Sequence, residues 1–262
     1  PIIKTSNISY TYTLSTVGSS TTVTIASTFT DNVSETTTDG LSFKNVASFY
    51  NTNTTNLKII NFGKIPLSRG GSQFLGLTKL TIEDTKSPNI LSKTSMASMF
   101  QGASNFNSNI SSWNTSNVID MSDMFVNAIN FNQPIDSWNV SNVTNMASMF
   151  QNATNFNSNI SGWNTSNVTN MSYMFNGASA FNQNIGSWIV SNVTNMSSMF
   201  RYASAFNQPI GTWIVSKVTN MSSMFQNASV FNKPIGSWNI GLVTNMSSMF
   251  QSASVFNQPI GT

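Results

Sequence analysis

The chain has 262 residues, a formal net charge of +3, only 7% charged residues, and no cysteine or histidine. Soluble domains average about 25% charged residues, so here Ser, Thr and Asn carry the polarity. Disulfides, thiolate nucleophiles, imidazole bases and the usual zinc sites are excluded together.

Most of the Lys and Arg precede residue 95, and beyond it Arg201, Lys217 and Lys233 are offset by Asp120, Asp123 and Asp136. No basic stripe faces phosphates, so nucleic-acid binding is not expected. No apolar run approaches the roughly 20 residues of a membrane helix. No leader is recognisable, but the sequence starts at Pro1, so this says nothing about export.

Residues 1–40 read as a β-rich segment. Ile8, Tyr10, Tyr12 and Leu14 alternate with polar residues, Gly18-Ser19-Ser20 offers a turn, and Val23 and Ile25 resume the alternation. A flexible Thr/Ser-rich arm is the other reading. Residues 41–95 read as two degenerate capping coils. VASFY at 46–50 and GSQFL at 71–75 sit where MASMF sits at 96–100, displaced by 50 and 25. Terminal repeats are atypical because one face has no neighbour.

Residues 96–262 are a regular 25-residue repeat. All 14 Met fall in pairs on this step, from Met96/Met99 to Met246/Met249. The six Trp, from Trp113 to Trp238, keep it too. A period of this length points to a repeat solenoid. Within a unit, Met146, Met149, Phe150 and Ala153 follow i, i+3, i+4, i+7, which predicts a short helix capped by Thr144 or Asn145. Phe131, Ile135, Trp138, Val140 and Val143 follow neither period, so the rest of each coil is short strand and turn. One coil cannot hold its own fold, and stacking sets Phe on Phe, Ile on Ile and Trp on Trp. Asn132 and its counterparts from Asn107 to Asn257 do not vary between units, and an Asn column can bond coil to coil.

The phrase SWNVSNVTNMASMF at 137–150, recurring every 25 residues, resembles the BspA-like leucine-rich-repeat surface proteins of the mycoplasma-lipoprotein type. The likeness covers 96–262 well and 41–95 only in register. It implies a leucine-rich-repeat-like right-handed solenoid with one short strand and one short helix per coil. It also implies a surface-exposed or secreted protein in adhesion or host interaction. Similar repeats occur in large DNA viruses of protists, which implies a virion component as the alternative. Phe, Met and Trp stand here for much of the usual Leu, and no catalytic residue carries over.

The Met-x-x-Met pairs could ligate Cu(I), but core packing is the simpler reading. The Trp column could form an exposed sugar-stacking ladder, but a buried stack fits its place in the apolar set better. Asp120 and Asp123 could hold Ca²⁺ or act as acid and base; no third ligand is evident, and a solvated pair is favoured. Sequons at Asn142, Asn167, Asn170, Asn192, Asn195, Asn220, Asn227 and Asn245 could carry glycan, or simply follow from composition.

The units disagree at Tyr173, which stands where Ser148 does, and at Arg201 and Tyr202, which stand where Gln151 and Asn152 do. Tyr and Arg are enriched in binding hot spots, so these three are the candidate binding residues, with drift of exposed positions as the alternative. The expected protein is a non-enzymatic, extracellular, cell-surface or virion-surface repeat protein. It binds a protein or cell-surface partner and needs no metal or cofactor. The alternative is a shell, fibre or decoration module assembled with copies of itself or with other structural subunits. The sequence stops at Thr262, where the next residue on the 25-residue step would be Trp, so further repeats or a covering partner are expected there.

Overall fold

A computed structural model describes residues 69–260 throughout. Before them it describes Lys58, Ile59, Phe62, Leu67 and the backbone of two strands. Those strands, β1 (Thr5–Thr16) and β2 (Ser19–Thr30), pair antiparallel with Tyr10 opposite Ile25 and Tyr12 opposite Val23. Ser19 and Ser20, expected in the turn, belong to β2. The 46–50 stretch lies outside the described residues.

From residue 58 onward the pairing is parallel and advances one coil at a time. β3 (Lys58–Ile59) pairs with β4 (Thr81–Ile82), and β5 (Thr94–Ser95) with β6 (Val118–Asp120). The ladder then narrows to one residue per coil: Asp120, Asn145, Asn170, Asn195, Asn220 and Asn245 bridge in sequence. Each coil thus lies on the next at the same point of its path.

The segment expected to be a short helix is a run of turns instead. Ser148 and Asn152 have φ of 55° and 56°, in the left-handed region, and every regular coil repeats this at the same two positions. A right-handed helix cannot pass through them. Alternate N–H groups point to the next coil: Met146, Ser148, Phe150 and Asn152 donate to the carbonyls of Asn170, Ser172, Met174 and Asn176 at 2.7–3.0 Å. The intervening Met149, Gln151 and Ala153 close turns onto Met146, Ser148 and Phe150. A helix would spend every N–H past its first turn internally. The turn run spends half of its N–H groups on holding two coils together. It still sends Met146, Met149, Phe150 and Ala153 into the core, where all four are fully buried, so a helical spacing of apolar residues fits both structures.

The core is a set of columns running through the stack. Phe150 stacks on Phe125 at 5.5 Å, on Phe175 at 5.7 Å, and on Phe156 of its own coil at 3.8 Å. Trp163 and Trp188 lie parallel at 6.2 Å. Each buried indole N–H from Trp138 to Trp238 donates to the Ile carbonyl of the preceding coil, as Trp163 Nε1 does to Ile135 at 3.1 Å. A buried indole N–H usually finds such a partner; Trp113, in the first of these coils, has none.

The abundance of Asn follows from backbone satisfaction. The Oδ1 atoms of Asn107, Asn132, Asn157, Asn182, Asn207 and Asn232 each accept the N–H of the Asn one coil on. Others, such as Asn139, Asn145 and Asn164, accept the N–H two residues ahead and fix local turns. A chain with so little regular structure must pair its main-chain groups another way, and a short neutral amide does this at any pH.

The entry to the stack departs from the expected register. Phe74, not Leu75, takes the Phe column and stacks on Phe100 at 5.4 Å. The displacement there is 26 residues, while the Gly70–Ser95 bridge keeps 25. The coil is one residue short between them. Gly71 absorbs the loss with φ of 77°, where a Cβ would press on the Ala97 carbonyl.

Candidate binding surface

The three candidate residues lie on the turn run, and two of them meet. Arg201 sets its guanidinium 4.9 Å from the centre of the Tyr202 ring, a cation–π arrangement. Arg201 is half-buried, and its buried Nε has no hydrogen-bond partner. Tyr202 is 47% exposed and Tyr173 40% exposed. Tyr173 stands apart from the pair: its N–H donates to the Ser197 carbonyl, four residues before Arg201.

Backbone geometry makes both tyrosines unusual. Tyr173 has φ of 58° and Tyr202 of 57°. Elsewhere in the regular coils these two positions hold Ser or Asp, and Gly, Asn or Ser, respectively. Small residues, and Gly and Asn above all, tolerate left-handed backbone, whereas a bulky ring there is uncommon and carries strain. The fold gains no core contact in return, because both rings face outward.

The remaining candidates take structural positions. The methionines from Met96 to Met224 are fully buried among Phe and Ala, and the Trp column is buried as well. Asp120 Oδ1 accepts the Ser122 N–H, the same task Asn145 and Asn170 perform in their coils. Burial pushes the Asp123 carboxyl above its ordinary pKa, and the Asp120 charge adds to this, while a hydrogen bond from Ser148 opposes it. Among the described residues no three acidic groups gather to hold a metal. The sequon residues Asn142, Asn167 and Asn192 donate their side-chain amides to the carbonyls of Ser116, Ser141 and Ser166 one coil back. Among the described residues no helix is long and apolar enough to cross a membrane.

The structure adds a surface that was not singled out in the sequence. A trough of roughly 730 Å³, open to solvent, is lined by Ser161, Gly186, Ser187, Pro209, Gly211 and Pro234 among others. Two residues past Ser187 and Thr212 stand Ile189 and Ile214, 51% and 63% exposed. Their column otherwise holds Asn114, Asn139, Asn164 and Asn239. Each of those caps the N–H two residues ahead. Reading the Asn column unit by unit would have found the two isoleucines.

Coils of one repeating unit, each bridged to the next at the same position, define the class: a repeat protein. The family model described as "Mycoplasma protein of unknown function, DUF285" matches residues 71–188 and 180–262. The chain belongs to that family of mycoplasma-type repeat proteins. No curated protein and no solved structure matches it.

Proposed function

We propose that this chain is a leucine-rich-repeat-like solenoid of the BspA-like kind, acting as a non-enzymatic binding scaffold at an extracellular, cell or virion surface. The stacked coils hold a rigid, nearly uncharged framework, and function lies where exposed columns depart from it. The observation that carries this reading is the pair Tyr173 and Tyr202, large rings kept exposed on left-handed backbone. Arg201 braces Tyr202 and offers a charged edge, giving the aromatic-plus-arginine chemistry that dominates protein–protein hot spots. The partner is a protein or cell-surface component.

The test is a variant with Tyr173→Ala, Arg201→Ala and Tyr202→Ala together. Binding of the tagged full chain to intact source cells or particles, and to a crosslinked partner recovered from them, is expected to fall at least about tenfold. The unfolding midpoint should hold, since all three changes are outside the core. Unchanged binding would remove these residues from the interface. Recovery of the chain at fixed stoichiometry in purified particles, with binding insensitive to the variant, would favour the structural-module role.

A further inference from the structure

We infer that the trough face is where two copies of this chain pair, antiparallel, about a two-fold axis at the coil carrying Ile189. The residues lining the trough are all uncharged, but its two ends are not equivalent. Lys233 directly precedes Pro234 at one end. Asp136 occupies the column of Ser161, Gly186 and Gly211, one coil beyond the other end. Asp136 is exposed and Lys233 partly so, and neither has an ion-pair partner among the described residues. After Asp136 the sequence has no acidic residue, and its only charges are Arg201, Lys217 and Lys233. An acidic residue therefore stands just beyond one end of the trough and a basic residue beside Pro234 at the other.

Such a face is complementary to itself when one copy is turned end for end. Asp136 and Lys233 lie four coils apart, about 19 Å at the spacing of paired strands. The coil midway between them carries Trp188 and Ile189. A two-fold axis there sets Asp136 of each copy at the coil level of Lys233 of the other, three positions apart along the coil, and brings the two Ile189 residues together. An isologous interface has this form, with each contact made twice. Apolar contact at the centre and charge at the rim is also the usual anatomy of an interface. Equal coil spacing in the two copies keeps every coil in step with its opposite.

The two isoleucines support the same reading independently. At Ile189 and Ile214 the coil gives up the Asn cap that its neighbours keep and exposes an aliphatic side chain instead. Neither change helps the stack. Both make sense if the face is covered. This surface lies on the stretch from Asn184 to Ile189 and its counterparts, apart from the turn run that holds Arg201 and Tyr202, so it does not depend on partner binding there.

Sedimentation velocity of the full chain at about 100 μM and low salt tests it, since rim charges are screened as salt rises. A dimer of the 28.5 kDa chain is expected. Asp136→Lys and Lys233→Asp should each weaken it at least about tenfold, and the two together should restore it. Ile189→Asn, which installs the residue other coils carry, should weaken it without lowering the unfolding midpoint. A monomer under these conditions, single variants without effect, or a double variant that fails to recover would overturn the proposal.

Discussion

Trp163→Ala is expected to destabilise the chain by about 3–5 kcal/mol, the range for removing a large aromatic from a packed core. Trp163 sits mid-stack and is 3% exposed. It lies against Trp188 at 6.2 Å and Phe150 at 6.4 Å, and its indole N–H serves the Ile135 carbonyl at 3.1 Å. Alanine would leave a cavity between coils and remove one of the two hydrogen bonds to the Ile135 carbonyl, which keeps the Trp138 N–H, and the coils above and below are held too closely by backbone bonds to close the gap. Urea denaturation followed by circular dichroism measures the loss. A change within about 0.5 kcal/mol, the ordinary range for surface substitutions, would mean the Trp column is exposed and would revive the sugar-stacking ladder.

Phe150→Ala is expected to cost about as much, 3–5 kcal/mol, because one ring contacts four others: Phe125, Phe156, Trp163 and Phe175. Excising the whole unit 156–180 should cost less than this single side chain. The cut joins Asn155 to Phe181, and every column loses one member without losing register. Repeat stability is close to a sum over units and their interfaces. A total of about 5–15 kcal/mol for a domain, shared over seven coils, is about 1–2 kcal/mol per coil. The hole left by Phe150→Ala cannot be shed in this way. An excision variant that unfolds while Phe150→Ala stays folded would refute the stacked-coil account of stability.

These columns were legible in the sequence because a period of 25 places each apolar residue opposite its own copy. Phe150, Met146 and Trp163 needed no further information to be assigned to the core. The turn run was not legible, because Met146, Met149, Phe150 and Ala153 have the same spacing whether the segment is helix or a chain of turns. What decides is the demand for inter-coil hydrogen bonds. That demand is written in the small residues at the positions of Ser148 and Asn152, which suit left-handed backbone. The one-residue shortening at Gly71 was hidden for a similar reason: Phe74 and Leu75 are both apolar, and only the ring stacking on Phe100 shows which one fills the column. At the binding surface, Tyr173, Arg201 and Tyr202 were visible as departures from the repeat, but only backbone geometry shows that the tyrosines sit at left-handed positions. Ile189 and Ile214 can be found in the sequence as departures from an Asn column, but only the structure shows them exposed and the neighbouring Asn residues capping.

The central claim, a repeat scaffold displayed for contact, is tested most directly by labelling intact, unpermeabilised source cells or particles. An antibody raised against the full chain, detected with gold in electron micrographs, should decorate the outer surface. Pre-incubation with the purified chain should abolish the label. Label that appears only after permeabilisation, with the outer surface bare, would contradict the account.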